Sequence, residues 1–80
     1  MCRNITPLRG LEPEATNEEI AAAALQFVRK VGAIGTVSPT MQPAVDLAVA
    51  QIAAITTRLL ADLPVRKVPP STIPPLRRRA

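Results

Sequence analysis

The chain has 80 residues but no histidine, tryptophan or tyrosine, one phenylalanine (Phe27) and one cysteine (Cys2). A single cysteine excludes a disulfide within the chain, and without histidine or another ligand cluster we expect no metal and no cofactor. Tryptophan and tyrosine are the residues most enriched at the energetic centres of protein interfaces, and aromatic residues supply base-stacking surfaces. Any binding must therefore rest on aliphatic surface or on charge.

Long hydrophobic runs are also scarce. The roughly 20 apolar residues that a membrane helix needs are not continuous here, because Asp46, Gln51 and Arg58 interrupt the longest stretch. No apolar signal-peptide core follows Arg3. We therefore expect a cytoplasmic protein without a membrane helix, in which Cys2 stays reduced.

The charge is unevenly distributed along the chain. Residues 1–63 carry five basic and six acidic side chains, a net charge of 5 − 6 = −1, whereas residues 64–80 carry five basic side chains and no acid. The basic side chains of this proline-rich tail are Arg66, Lys67, Arg77, Arg78 and Arg79. They are candidate contacts for a polyanion. Because no aromatic residue accompanies them, a solvated, disordered tail is the favoured interpretation.

A first helix is predicted over about residues 17–31. Thr16 can accept from the backbone N–H of Glu19 while the Glu19 carboxylate reaches back to the N–H of Thr16, which is a capping box. Gly32 can take the left-handed conformation that closes a helix. Apolar residues recur at helical spacing, and this stripe comprises Ile20, Ala23, Ala24, Phe27, Val28 and Val31.

A second helix is predicted over about residues 39–63. Ser38 supplies a cap and Pro39 a first-position proline, and Pro64 ends the helix. Pro43 crowds the carbonyl four residues earlier, so we expect an irregular first turn and regular helix from Pro43 onward. The apolar stripe is close to a heptad seam, and it comprises Val45, Ala48, Val49, Ile52, Ile55, Thr56, Leu59, Leu60 and Leu63.

The predicted fold is all-α: a small helical hairpin, with residues 1–63 as a single domain and residues 64–80 as the tail. Residues 1–15 contain Pro7, Gly10 and Pro13 among scattered apolar residues, which is typical of an irregular segment. We call this segment the arm. Its apolar side chains, Ile5, Leu8 and Leu11, can lie on the core of the hairpin.

The chain opens with Met-Cys-Arg-Asn-Ile, and this is followed by Glu-Pro at 12–13, Glu-Glu-Ile at 18–20 and Ala-Ala-Leu-Gln-Phe-Val-Arg-Lys at 23–30. In these motifs, of which the opening pentapeptide is the most specific, residues 1–63 resemble a bacterial family known as domain of unknown function 2277. The chain departs from the family between the helices, where it carries neither lysine nor an aromatic residue, and in its short proline-rich tail. The resemblance implies a compact helical fold and assigns no activity.

Two features could suggest chemistry, and each has a simpler interpretation. Cys2 is a possible nucleophile next to Arg3, but nucleophilic catalysis needs a base and an orienting group, and the chain has no histidine. Glu18 and Glu19 are adjacent on a helix and point about 100° apart, so they cannot converge on one metal ion, and helix capping explains both. We therefore expect no catalytic residue and no enzymatic activity.

A binding role is what remains. Eighty residues bury a smaller share of their surface than a typical domain, and the two apolar stripes exceed what a chain this short can cover. The leading hypothesis is a non-enzymatic interaction module that forms a dimer, most simply a four-helix bundle, or docks another protein. The alternative is a nucleic-acid accessory protein that binds non-specifically through its basic tail. No site for a small molecule is evident.

Overall fold

The structure is a computed structural model that describes residues 5–64 and 74–77. It contains two α-helices, α1 (Asn17–Val31) and α2 (Gln42–Asp62), and one 3₁₀ turn, Pro75–Arg77. The two helices pack on each other as a hairpin, and no strand occurs in the described ranges. The prediction of an all-α helical hairpin is confirmed.

Helix α1 begins where the sequence predicts. Thr16 has extended backbone (φ −82°, ψ 163°), and its Oγ1 accepts from the backbone N–H of Glu19 at 3.1 Å. The backbone N–H of Thr16 in turn donates to Glu19 Oε1 at 2.9 Å. Both halves of the capping box are therefore present, and they satisfy two of the backbone donors that a helix start leaves free.

The end of α1 differs from the sequence prediction. Gly32 has right-handed backbone (φ −85°), and the left-handed residue is the next one, Ala33 (φ 53°). The N–H of Ile34 donates to the carbonyl of Arg29 at 2.8 Å and the N–H of Ala33 to that of Lys30 at 3.3 Å, which is a Schellman motif. Gly32 instead allows close packing, because a Cβ there would lie 3.0 Å from Ile34 Cδ1.

Helix α2 begins three residues later than the predicted bound. Residues 39–41 form a turn in which the N–H of Met41 donates to the carbonyl of Ser38 at 3.0 Å, and regular helix starts at Gln42. Ser38 therefore organises the preceding turn, and the helix cap at Met41 has no side-chain hydrogen bond. Pro43 lies in the first turn of α2, where its missing N–H costs no helical bond, so the predicted irregular start is confirmed.

The hydrophobic core is small and includes part of the arm. Leu11, Ile20, Ala24 and Val45 are the buried hydrophobic residues among those described, and Val45 is the one contribution of α2 at that level of burial. Leu11 thus lies on the core as the sequence predicted. Arg9 joins the arm to the end of α2, because its Nε and Nη2 donate to the carbonyl of Pro64 at 3.0 and 2.8 Å.

Candidate functional site

An apolar flank of α2 faces solvent. Leu47, Ile55 and Leu59 expose 60, 71 and 51% of their surface. They are separated by eight and four residues, so they lie on one row of residues four apart, which winds about 120° around α2 from Leu47 to Leu59. We call these three residues the α2 ridge.

The α2 ridge includes two residues that the sequence assigned to the packed stripe, Ile55 and Leu59. The stripe is wider than α1 and the arm can cover. Val45 marks the side of α2 that faces α1, and Leu47 points about 160° away from it at 3.6 residues per turn. Ile55 and Leu59 lie on the flank between these directions, and α1 does not cover them.

An apolar groove runs beside the α2 ridge, between the arm and both helices. Its volume is about 290 Å³, and it is open to solvent. Phe27 on one side is nearly half exposed, and the other side is formed by Ile52, Thr56 and Leu60 of α2. Ile55 and Leu59 lie one turn from these residues, so the groove and the ridge are adjacent.

Helix α2 is also, among residues 5–64 and 74–77, the one helix long and apolar enough to cross a membrane. This rests on its 21 residues and on an 18-residue stretch within it that has a mean hydropathy of 1.5. Asp46, Gln51 and Arg58, which interrupt the apolar run in the sequence, still leave this stretch apolar enough for a membrane helix. Length and composition alone are weak evidence, since core helices of soluble proteins can meet the same criteria.

The second notable site is an ion pair between the first turn of α1 and the last described residue, Arg77. Arg77 Nε donates to Glu19 Oε2 at 2.5 Å and Arg77 Nη2 to Glu19 Oε1 at 3.0 Å. The same Nη2 lies 2.7 Å from the carbonyl oxygen of Pro13 and 3.1 Å from that of Glu14. The Glu19 side chain is 3% exposed and that of Arg77 is 20% exposed. One guanidinium thus meets a bidentate carboxylate and two backbone carbonyls.

Side chains preceding Arg77 also contact the helical body. Pro74 is buried, and Leu76 is half exposed. Both lie against a shallow groove between the arm and the first half of α1, and the cavity that remains beside them is about 30 Å³. The body side of this groove is formed by Thr6, Leu8, Glu19, Ala22, Ala23 and Gln26. We call it, together with the carbonyls of Pro13 and Glu14, the arginine groove.

The electrostatics of the arginine groove favour the charged form of Glu19. The hydrogen bonds from Arg77 are the largest cause that lowers the pKa of Glu19, followed by the backbone N–H of Thr16. Burial acts in the opposite direction, because it disfavours a carboxylate, but it is the smaller effect. Glu19 is therefore held as a carboxylate that both caps α1 and anchors Arg77.

Arg77 is the candidate polyanion contact that the structure describes, and it lies in the arginine groove. The other four candidates, Arg66, Lys67, Arg78 and Arg79, are outside the described residues, as is Cys2. Residues 74–77 contact the helical body, because Glu19 offers Arg77 a buried carboxylate. Sequence reasoning missed this pair, since it assigned Glu19 to capping alone.

The acidic residues near the start of α1 do not come together. In the described part of the chain, no group of three or more potential metal ligands is close enough to hold an ion. A wider cleft of about 490 Å³ lies between the arm and the end of α2, and Glu12 and Glu14 contribute to its lining. Its one basic side chain, Arg9, already donates to the carbonyl of Pro64.

Comparison with known proteins places the whole chain in one family. The family model described as "Uncharacterized conserved protein (DUF2277)" matches residues 1–80. The match continues past residue 63 and so includes the proline-rich tail, beyond the part in which the sequence shows the resemblance. No curated protein and no solved structure matches the chain.

Proposed function

The chain belongs to the DUF2277 family, and we propose that it is a non-enzymatic protein-interaction module that pairs with a second copy of itself through the α2 ridge. The observation that carries the proposal is the exposure of Leu47, Ile55 and Leu59 on a helix of 21 residues that buries Val45 alone. Covering such side chains is the main favourable contribution to protein association.

The small core supports the same proposal. None of the described side chains is completely shielded from water, and two of the four buried hydrophobic residues are Ala24 and Val45, which bring little area. The single core of a chain this short supplies little stability, and natural small proteins often add a disulfide, a metal or a partner. A second copy would extend the core without any further covalent link.

The position of the α2 ridge suits a symmetric pair. In an antiparallel α2–α2 pair centred on Ala53, facing residues lie equally far from Ala53 in opposite directions. Leu47 is therefore opposite Leu59 of the second copy, and Ile55 is opposite Gln51 of the second copy. A twofold interface of this kind is the commonest in homo-oligomers. Residues 1–63 carry a net charge of only −1, so the two bodies would repel each other little.

The test is the molecular mass in solution. We expect sedimentation equilibrium of the wild-type chain to give twice the monomer mass of 8.5 kDa. Ile55→Glu should give a monomer, since the twofold interface would then bury two carboxylates, one from each copy. Thr57→Glu is the matched control: Thr57 is exposed on α2 and points about 160° from both Ile55 and Leu59, so this variant should remain a dimer.

A monomeric wild-type mass at high protein concentration would overturn the proposal, as would a dimer that both variants retain. Flotation of the protein with phosphatidylcholine vesicles would also contradict it. In that case the apolar surface of α2 would be covered by lipid instead of a second copy.

Non-specific binding of nucleic acid through the tail is the alternative, and Arg77 weakens it. With that side chain held by Glu19, four basic residues of the tail remain, Arg66, Lys67, Arg78 and Arg79. If all four contacted duplex DNA, the slope of log affinity against log salt would be about −3.6. Replacing Arg78 and Arg79 by Ser should then halve the slope, whereas a slope near zero in the wild type would eliminate this alternative.

A further inference from the structure

We propose that the arginine groove is a binding site for arginine-containing peptides, and that Pro74–Arg77 of this chain is its displaceable, tethered ligand. The proposal goes beyond the pairing through α2, because it uses the arm and the first half of α1 and leaves the α2 ridge free. The ligand class is a peptide that presents a proline and a leucine ahead of an arginine.

The polar end of the groove is organised to accept a guanidinium. Both oxygens of Glu19 accept from Arg77, and the carbonyls of Pro13 and Glu14 accept from its Nη2. A planar guanidinium matches a carboxylate with two parallel N–H bonds, which an ammonium group cannot do. The acceptors therefore select arginine over lysine at this position.

The acceptors are fixed by the fold and not by their ligand. Glu19 Oε1 also accepts from the backbone N–H of Thr16 at 2.9 Å, and Thr16 Oγ1 accepts from the N–H of Glu19. Leu11, two residues before Pro13, is buried in the core. When Arg77 leaves, the capping box still orients the carboxylate, so the emptied groove remains a preformed site.

The apolar part of the groove adds a second element of recognition. Pro74 is buried against the arm and α1, whereas Leu76 remains half exposed. Pro74 therefore contributes the deeper contact and Leu76 the shallower one. Neither belongs to the hairpin between α1 and α2, and a peptide carrying the same residues could make the same contacts.

The chain supplies this ligand to itself through a short connection. Nine residues, 65–73, link Pro64 to Pro74. Linkers of this length give an effective concentration in the millimolar range. Suppose that a free peptide binds the empty groove with a Kd near 0.1 mM and that the tethered segment binds equally well at an effective concentration of about 1 mM. Competition from the tethered segment would then raise the apparent Kd of the free peptide about tenfold.

The experiment uses full-length proteins and a fluorescently labelled peptide with the sequence of residues 73–80. Arg77→Ala removes the guanidinium that holds the tethered segment on Glu19, and we expect it to bind the peptide about tenfold more tightly than the wild type does. Arg78→Ala is the matched control, and it should bind like the wild type. A peptide with alanine in place of Arg77, and a protein carrying both Arg77→Ala and Glu19→Gln, should each lose at least tenfold in affinity.

Equal affinity of the wild type and Arg77→Ala would overturn the inference, and so would failure of Arg77→Ala to bind although its circular dichroism is that of the wild type. If Arg77→Ala loses helix, Arg77→Lys replaces it in the same titration, because it keeps the charge but not the bidentate geometry. Sedimentation of each variant reports the pairing through α2 separately. A monomeric mass with intact peptide binding would reject the proposed function and leave this inference standing.

Discussion

At the scale of single residues, Glu19 connects two parts of the chain that are far apart in sequence. The capping box could be predicted because Thr16 and Glu19 are three residues apart and the motif is local. Its second partner, Arg77, lies 58 residues away. Five basic side chains occur after residue 63, and no local pattern indicates which of them returns to α1.

This double role predicts unequal effects of two substitutions at the start of α1. Thr16→Ala removes one capping hydrogen bond and should lower the free energy of unfolding by about 0.5–2 kcal/mol. Glu19→Ala also leaves the Arg77 guanidinium without its carboxylate, and we expect a loss of about 1.5–3 kcal/mol, as for hydrogen bonds between charged groups. Urea unfolding measures both, and equal losses would show that Arg77 adds nothing to the cap.

The same pair predicts how stability depends on pH. The pKa of Glu19 in the folded chain is lowered below its ordinary value of 4.5, chiefly by Arg77. Its contribution is therefore fully present above pH 4.5 and is lost as the pH falls through the folded-state pKa. The stability difference between the wild type and Glu19→Gln should shrink from pH 7 to below pH 4.5. A difference that stays constant over this range would contradict the assignment.

Ala33 gives a prediction of the opposite sign. It holds left-handed backbone at φ 53°, a conformation that is unfavourable for residues with a Cβ and easily adopted by glycine. Ala33→Gly should therefore raise the free energy of unfolding, by about 0.5–1 kcal/mol after the larger entropy of the unfolded glycine chain is subtracted. Thermal unfolding tests this, and a lower melting temperature would show that the left-handed turn is not formed.

At the scale of elements, the helices were predictable to within a few residues, and their packing was predictable only in part. The bounds follow from local signals, the capping box of α1 and the prolines around α2. The side of α2 that becomes buried depends on the width of α1 and on where the arm lies, and neither is encoded in the periodicity of α2. This is why the apolar stripe predicted for α2 correctly included Val45 but also included Ile55 and Leu59, which are exposed.

Val45 and Leu47, which are two positions apart on α2, should therefore respond differently to truncation. Val45 is buried and Leu47 is exposed. Val45→Ala should lower the free energy of unfolding by about 1–3 kcal/mol, because it leaves a small cavity in the core. At concentrations low enough to keep the chain monomeric, Leu47→Ala should change it by less than about 0.5 kcal/mol. A reversal of this order would place the core on the other side of α2.

At the scale of the whole molecule, both ends of the described chain return to the helical hairpin. Arg9 of the arm binds the carbonyl of Pro64, and Arg77 binds Glu19 and the carbonyl of Pro13. These contacts join the arm, the end of α2 and residues 74–77 around α1. These contacts do not cover the α2 ridge, whose three aliphatic side chains remain more than half exposed.

Pairing through the α2 ridge makes the melting temperature depend on protein concentration. When a folded dimer unfolds to two separate chains, a tenfold rise in concentration stabilises it by about 1.4 kcal/mol. Two 80-residue chains have an unfolding entropy for which this corresponds to roughly 3–5 °C. We expect that shift for the wild type and for Thr57→Glu. Ile55→Glu should show none, because its unfolding is that of a monomer. A wild-type melting temperature that is unchanged over a hundredfold range of concentration would mean that the chain unfolds as a monomer and that the α2 ridge is not covered by a second copy.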